Sequence, residues 1–259
     1  MARATKVKKS AAQSTLDPFR TLSPEDLAKS TKGCAHVFGM GYRCDTDTLG
    51  YPTLENRGPA ELVLDSSEGF IPLWQHGVTL RWRFQEHSLS HFTDVNAAKI
   101  AIRSLIGQAL LLWRDAVPIK FAERKDAWDF EVVVKKADNC DINGCVLASA
   151  FFPDQGRHEL YIYPKTFGEP MKEQIDTLAH ELGHVFGLRH FFAQLSEKKW
   201  PSVTFGNHQP FSIMNYGDKS VMTPADRSDL KKLYQKAWSG ELTQINGTPV
   251  KLVKPFHMA

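Results

Sequence analysis

The sequence predicts an α/β or α+β fold, in which helices pack on a β-sheet. Three features predict it: apolar and polar residues alternate over 78–87, an amphipathic helix follows over 94–117, and several strands, a helix, a loop and a last helix come after it. Elements in this order pack in layers around one hydrophobic core. With 259 residues, the chain is long enough to bury such a core.

The chain before residue 76 lacks these periodic signals. Residues 1–30 are polar and basic, which predicts a disordered tail. Residues 31–75 are rich in turn-forming residues and show no helical period, so we expect irregular structure with short strands. We therefore divide the chain into the tail (1–30), a propeptide-like N-terminal extension (31–75) and the main domain (76–259).

The first strand and the first helix of the main domain have clear signals. Leu80, Trp82 and Phe84 alternate with polar residues, which predicts a strand with one buried face. The helix begins at Asp94 or Asn96, because both residue types cap helix N-termini. Its predicted buried positions are 101, 105, 109, 112 and 113.

Four short apolar segments then predict four further strands, at 118–124, 130–137, 146–153 and 159–164. Pro153 closes the third of them. Because proline has no backbone N–H to donate, this strand either lies at the edge of the sheet or ends there.

Two more helices complete the domain. Pro170 fits the first turn of the second helix. The predicted buried stripe of this helix consists of Met171, Ile175, Leu178, Leu182 and Val185. The third helix starts with Thr223 at the N-cap, Pro224 at the first helical position and Asp226 in the first turn.

Composition and charge exclude several classes of protein. The chain is 42% hydrophobic and 24% charged, unlike a disordered, collagen-like or disulfide-packed chain. Five basic residues and one acidic residue lie within 1–20, so the net charge of +3 becomes −1 for the remainder, and we expect no nucleic-acid partner. The most apolar stretch, 105–113, is too short to cross a bilayer, so we expect no membrane span.

The cysteines and the N-terminus give conflicting indications of compartment. Cys34 lies close to Cys44 and Cys140 lies close to Cys145, which suits two local disulfides. Paired cysteines indicate an oxidising, extracellular compartment. The N-terminus has basic residues without the apolar run of a signal peptide. The sequence therefore leaves open whether the protein is intracellular or is exported by another route.

The stretch HELGHVFGLRH places three histidines and a glutamate within eleven residues. His180 and His184 are four residues apart and project from one helix face, so they can share one ion. Glu181 lies about 100° around the axis, where it can reach a water at that ion. Gly187 can end the helix in a left-handed turn that returns His190 as the third ligand. Three nitrogen donors, an open position and a carboxylate base predict one catalytic Zn²⁺ ion.

A bare His-Glu-x-x-His pattern also occurs by chance on helices. The longer pattern specifies five residues, including a glycine in register to stop the helix, and it matches the zinc-binding signature of the metzincin endopeptidases at every specified position. The sequence FSIMNYG at 211–217 resembles their methionine turn. The resemblance implies that Met214 lies under the histidines and that Tyr216 acts as a fifth ligand or oxyanion stabiliser.

The resemblance covers about residues 76–240. It implies a twisted mixed sheet of about five strands, a long backing helix, an active-site helix and a C-terminal helix. Matrixins and astacin-like enzymes are both similar. The subfamily stays open, because Phe191 and the long insertion at 191–211 do not match the residues that usually follow the third histidine.

The sequence ASAFFP resembles the edge strand that lines the cleft of matrixins. The resemblance implies that Ser149, Ala150 and Phe151 form an edge to which an extended peptide can add antiparallel. The alternative is an ordinary buried strand. Calcium, which matrixins bind, is a further expectation for the loops at 138–144 and 154–156, although neither loop matches a calcium-binding pattern.

The sequence YRCDTD at 42–47 faintly resembles the cysteine switch of matrixin propeptides, whose thiolate occupies the open position on zinc. Here the spacing to the aspartate is one residue short, and the proline is absent. The rival interpretation is a disulfide between Cys34 and Cys44. A second disulfide, between Cys140 and Cys145, would stiffen the rim of the cleft.

The sequence thus predicts a zinc-dependent endopeptidase, expected to be a monomer, that hydrolyses extended protein segments with Glu181 as general base. One alternative is a non-catalytic, zinc-containing module that binds peptides, and another is a latent proenzyme. A third is a zinc enzyme that acts on a non-peptide amide or ester.

Overall fold

The structure is a computed structural model of the chain. It describes residues 69–141, 144–189, 212–214 and 221–259, together with Phe19 and Thr46. It also describes the backbone of three strands, at 42–43, 62–65 and 202–205.

The described elements follow the predicted order. The first part of the chain contains β1 (Tyr42–Arg43), β2 (Leu62–Asp65), β3 (Ile71–Trp74), β4 (Thr79–Phe84) and helix α1 (Val95–Trp113). The middle part contains β5 (Lys120–Glu123), β6 (Phe130–Val134), β7 (Asn139–Asp141), β8 (Gly144–Val146), β9 (Ala148–Ser149) and β10 (His158–Ile162). The last part contains α2 (Pro164–Gly168), α3 (Met171–Val185), β11 (Leu188–Arg189), β12 (Ser202–Phe205), α4 (Pro224–Ser239), β13 (Gln244–Ile245) and β14 (Thr248–Val253).

Five of the described strands form the main sheet in the order β5-β4-β6-β10-β9. The first four are parallel, and β9 is antiparallel to β10. In β4, Leu80, Trp82 and Phe84 are buried and the residues between them are partly exposed, as predicted. The predicted fold class, a mixed sheet of about five strands with a long backing helix, is therefore confirmed.

Helix α1 packs against α3. Asp94, one of the two residues predicted for its start, is its N-cap and accepts a hydrogen bond from the backbone N–H of Ala97 at 2.9 Å. The predicted buried stripe is right at positions 105, 109 and 113. It missed Ile102 and Ile106, which are buried, while positions 101 and 112 are only partly buried. The buried face of α1 is therefore wider than the predicted stripe.

This helix is also the one described helix that is long and apolar enough to cross a membrane, over Val95–Ala116. Its Trp113 is fully buried and donates from its indole N–H to the carbonyl of Ala179 in α3, at 2.9 Å. One side of α1 packs against α3 in the core, and the structure gives no clear membrane span.

Helix α3 buries Leu178, Leu182 and Val185, as predicted. Met171 was assigned to the same stripe, and this assignment is wrong, because its side chain is 56% exposed. The first turn of α3 extends past the core, and Ile175, one turn later, is only partly buried.

Strand β3 belongs to the core, although it precedes the predicted start of the main domain. Ile71, Leu73 and Trp74 are buried, and β3 pairs in parallel with β14 near the C-terminus. Phe19, the one described residue of the predicted disordered tail, stacks on Phe167 with ring centroids 4.1 Å apart. The division at residue 76 stays a prediction, but a core strand that ends at Trp74 favours a domain that begins earlier.

Candidate metal centre

Helix α3 brings His180, Glu181 and His184 together inside the protein. All three side chains are buried, and their ligand atoms lie within 4.8 Å of one another. The four-residue spacing places both imidazoles on one face of the helix. The arrangement suits a shared cation, because buried carboxylates and imidazoles otherwise require other partners.

Backbone carbonyls fix the orientation of both imidazoles. The Nδ1 atom of His180 lies 2.8 Å from the carbonyl oxygen of Ile213, and that of His184 lies 2.6 Å from the carbonyl oxygen of Leu188. A carbonyl oxygen can only accept, so both Nδ1 atoms carry a proton, and in neutral imidazoles both Nε2 atoms carry lone pairs.

These two Nε2 atoms face each other at 3.2 Å. Lone pairs at this distance repel unless a cation lies between them. Two nitrogens bound to one tetrahedral zinc at the usual Zn–N length of about 2.0 Å lie about 3.3 Å apart. The spacing and the tautomers therefore both fit zinc.

Of the other predicted site residues, the structure describes Met214. His190 and Tyr216 lie outside the described residues. Met214 is buried against α3, and a Cβ added to Gly183 would overlap the sulfur of Met214. Gly183 is thus required for the close approach of Met214 to the helix between the two histidines. Sequence reasoning missed this role of Gly183. Its position in the sequence, between the two histidines of the motif, is the signal that could have indicated it.

Side chains from distant parts of the chain hold the C-terminal end of α3. The indole N–H of Trp74 donates to the carbonyl of Val185 at 2.7 Å, and the hydroxyl of Tyr234 donates to the carbonyl of Phe186 at 3.0 Å. Burial raises the pKa of Tyr234, and a hydrogen bond from the backbone of Trp74 opposes this only in part, so the hydroxyl stays protonated. These donors satisfy carbonyls that have no partner within the helix.

The turn after α3 contains Gly187, with φ of +91°. Its N–H donates to the carbonyl of His184 at 2.8 Å, and a Cβ at this position would lie 3.2 Å from the carbonyl oxygen of Pro72. The backbone then enters β11, which pairs antiparallel with β2. The turn thereby places the Leu188 carbonyl that orients His184.

The N-terminal extension reaches the candidate base. Strand β1 pairs in parallel with β8, with Tyr42 opposite Cys145 and Arg43 opposite Val146. Three residues after β1, the fully buried Thr46 donates from its hydroxyl to Oε2 of Glu181 at 2.9 Å. Sequence reasoning missed Thr46, because no local pattern marks a residue whose partner lies 135 positions away.

The predicted substrate edge lies at the end of the main sheet. Strand β9 is its outermost described strand, and Ser149, Ala150 and Phe151 are all buried. The backbone N–H of Ala150 donates to the hydroxyl of Thr46 at 2.8 Å. In this structure, Thr46 therefore occupies a donor that the prediction assigns to substrate.

A disulfide joins Cys140 to Cys145, whose Cα atoms are 4.0 Å apart. It closes the hairpin of β7 and β8, the latter being the strand on which β1 lies. Cys34 and Cys44 lie outside the described residues, so their pairing and the switch interpretation of Cys44 stay predictions.

Comparison with known proteins agrees with this geometry. Residues 73–199, which include α1, the main sheet and α3, match the family model named Matrixin. The chain is 30% identical over 158 residues to stromelysin-3 of Rattus norvegicus, covering 57% of this chain and 29% of that protein. It is also 30% identical to stromelysin-3 of Homo sapiens over 148 residues (53% and 28%) and of Mus musculus over 144 residues (51% and 27%). The chain thus matches less than a third of the length of these relatives.

Proposed function

Residues 73–199 are a metzincin catalytic domain of the matrixin type, and on this premise we propose that the protein is a zinc-dependent endopeptidase. The family is one of zinc metalloendopeptidases, whose substrates are proteins. The convergence of two imidazole Nε2 atoms at 3.2 Å beside a buried carboxylate carries the proposal for this chain.

In the proposed site, His180 and His184 would hold zinc through Nε2, with His190 as the third ligand. The bound ion would supply Lewis-acid activation of a water and of the peptide carbonyl. Glu181 accepts a proton from the attacking water at Oε2 and returns it to the leaving amine. The hydroxyl of Thr46 already donates to this oxygen, which supports the assignment of Oε2 as the atom that receives the proton.

Met214 and Tyr216 complete the proposal. Met214 forms the apolar floor that fixes α3 beneath the ligands, which its close approach to Gly183 supports. Tyr216 stabilises the oxyanion by donating from its hydroxyl. Substrate binds as an extended segment along the edge strand, where the N–H of Ala150 donates to a backbone carbonyl of the substrate.

Chelator-sensitive cleavage of an unstructured protein tests this proposal. The protein, cut by limited proteolysis ahead of strand β2, is incubated with casein, with and without 1,10-phenanthroline. We expect cleavage that stops with the chelator and returns with added zinc. Stoichiometric zinc by elemental analysis without any cleavage would instead identify a non-catalytic peptide-binding module. Cleavage that the chelator leaves unchanged would overturn the proposal.

A second candidate, a latent form of the same enzyme, is favoured by the position of Thr46. One hydroxyl engages both the candidate base and the N–H of Ala150, and water and substrate need these same two groups. A non-catalytic module has no need for such a contact. We propose that the activating cut falls within 47–61, because a later cut would remove β2 from its pairing with β11 and β12.

N-terminal sequencing of the active form tests the latent enzyme. We expect a new N-terminus within 47–61, retaining β2 and β3. A mature form that starts at residue 76 or later would contradict it, since that form lacks the Trp74 side chain that holds the end of α3.

The disulfide indicates a compartment, and the loops at 138–144 and 154–156 bear on calcium binding. The disulfide between Cys140 and Cys145 is consistent with an extracellular location, and we propose an oxidising compartment. We do not propose calcium. In the two candidate loops, Asp138 accepts a hydrogen bond from the N–H of Lys165, and Asp154 pairs with the imidazole of His158 at 2.7 Å. We further propose that the protein is a monomer.

A further inference from the structure

We propose that Asp226, at the start of helix α4, is a positioning residue for the metal ligand His180 and tunes its affinity for zinc. The inference builds on the zinc site proposed above. Asp226 acts on His180 through the turn at 212–214, whose Ile213 carbonyl accepts from Nδ1 of His180.

Asp226 holds this turn by two hydrogen bonds. Its carboxylate is buried, accepts from the hydroxyl of Ser212 at 2.6 Å through Oδ1, and accepts from the N–H of Ile213 at 3.3 Å through Oδ2. The Ser212 oxygen in turn accepts from the N–H of Met214 at 3.0 Å. One carboxylate therefore fixes the peptide that orients His180 and also the residue that lies under α3.

The same carboxylate belongs to the capping box of α4. Oδ2 accepts from the N–H and from the hydroxyl of Thr223, both at 2.8 Å, and the N–H of Asp226 donates to the Thr223 hydroxyl at 3.1 Å. A capping box requires only the bonds to Thr223. The bonds to Ser212 and Ile213 are additional, and they reach the turn whose Ile213 carbonyl contacts Nδ1 of His180.

Asp226 thus acts on His180 through Ile213, whose N–H donates to the carboxylate and whose carbonyl accepts from the imidazole. All four groups around the carboxylate donate to it, but only the two backbone N–H groups are restricted to donating, since the hydroxyls of Ser212 and Thr223 can also accept. An asparagine has the same shape but no charge, and its NH₂ group faces either the N–H groups, which it cannot bond, or the Ser212 hydroxyl, whose hydrogen bond it reverses. The hydrogen bonds that hold the turn are then weaker. The turn then shifts, and the Ile213 carbonyl no longer fixes the ring and the tautomer of His180. Loss of such an outer partner typically weakens metal binding about 10–100-fold.

A simple role in helix stability is the competing explanation, and Thr223 provides the matched control. Thr223→Val keeps the shape of the side chain and removes both capping bonds of the hydroxyl, but it leaves the bonds of Asp226 to Ser212 and Ile213. Loss of a cap lowers helix stability by about 1 kcal/mol. The inference therefore predicts that Thr223→Val lowers stability with little change in zinc affinity, whereas Asp226→Asn lowers both.

The experiment compares the full chain with Asp226→Asn, Thr223→Val and Ser212→Ala. The dissociation constant for zinc is measured by competition with a chromophoric chelator, the ligand field by the visible spectrum of the cobalt-loaded chains, and stability by urea unfolding of the metal-free chains. We expect a 10–100-fold weaker zinc affinity for Asp226→Asn, a smaller loss for Ser212→Ala and a changed cobalt spectrum in both. We expect a value near that of the wild type for Thr223→Val.

Three outcomes overturn the inference. If Asp226→Asn binds zinc as tightly as the wild type, this inference is wrong but the proposed function stands. If Asp226→Asn does not fold, the same conclusion follows from a wild-type zinc affinity in Ser212→Ala. An equal loss of zinc affinity in Thr223→Val and Asp226→Asn, in proportion to their loss of stability, assigns Asp226 to helix stability only. A wild-type chain that binds no zinc overturns the proposed function and this inference together.

Discussion

The hydroxyl oxygen of Thr46 lies 2.9 Å from Oε2 of Glu181, and the hydroxyl donates a hydrogen bond to that carboxylate. The same hydroxyl oxygen accepts from the N–H of Ala150 at 2.8 Å. A side chain of the N-terminal extension thus links the candidate base of α3 to the edge of the main sheet. Because each of these groups has a role in the proposed reaction, Thr46 competes with water and substrate at once.

Replacing Thr46 with valine should raise the activity of the full chain. Valine has the shape of threonine but cannot donate to Glu181, and a hydrogen bond to a charged group contributes about 1.5–3 kcal/mol. We expect a roughly 10–100-fold faster hydrolysis of a quenched fluorescent peptide by the zinc-loaded, uncut chain. Thr79→Val, the same change in strand β4, serves as the control. Activity in Thr46→Val no higher than in this control would contradict the latent form.

Replacing Glu181 with glutamine should leave zinc bound and remove turnover. Glutamine keeps the size of the side chain but cannot accept the proton from the attacking water, and general-base catalysis contributes about 10²–10⁴-fold. Peptide hydrolysis and elemental zinc are measured on the same preparation after a cut within 47–61. Full activity in Glu181→Gln would show that another group takes the proton.

Local sequence patterns predicted the parts of the structure whose causes are local. The helical spacing of His180 and His184, the start of α1 at Asp94 or Asn96 and the N-cap at Thr223 depend on residues within one or two turns, so their signals are visible in the sequence.

Features that depend on distant pairing were missed for the same reason. Thr46 meets Glu181, and Trp74 meets Val185, across more than 100 residues, and no period marks such pairs. The C-terminal hairpin of β13 and β14 was missed although its turn is local, since Asn246 and Gly247, with φ of +49° and +80°, form the two-residue Asn-Gly loop typical of hairpins. Only the pairing of β14 with β3 depends on distant residues. His190 and Tyr216 stay predictions, because they lie outside the described residues.

Removing the disulfide between Cys140 and Cys145 should cost about 2 kcal/mol of unfolding free energy, from the entropy of a closed loop this short. The double variant Cys140→Ser, Cys145→Ser is compared with the wild type by urea unfolding, each with and without dithiothreitol. We expect the reductant to lower the stability of the wild type toward that of the variant. A reductant effect that persists in the variant would come from Cys34 and Cys44, and a wild type without any effect would count against this bridge.

Stability should fall in mild acid because of His91. Burial lowers the pKa of this imidazole, a hydrogen bond with the Ser88 backbone partly opposes the shift, and the charge of Lys136 adds to it. The unfolded chain, with a histidine pKa of about 6.5, therefore binds the proton first. The stabilisation is complete above that pH and is lost as the pH falls below it.

The neutral variant His91→Gln tests this assignment. Urea unfolding between about pH 7 and pH 5 should show a shallower loss of stability in the variant than in the wild type. Parallel pH profiles for the two proteins would assign the acid sensitivity to other groups.

Replacing Gly187 with alanine should weaken both the fold and zinc binding. Its φ of +91° strains an L-residue by about 1–2 kcal/mol, and the new Cβ would lie 3.2 Å from the carbonyl oxygen of Pro72. The turn would then move the carbonyl of Leu188, which orients His184. Gly247→Ala is the matched control, because Gly247 has a φ of +80° but no described atom within 4 Å of an added Cβ. Urea unfolding should show a loss in both variants, whereas chelator competition should show weaker zinc binding in Gly187→Ala alone. Equal zinc affinities in the two variants would mean that the turn after α3 does not position His184.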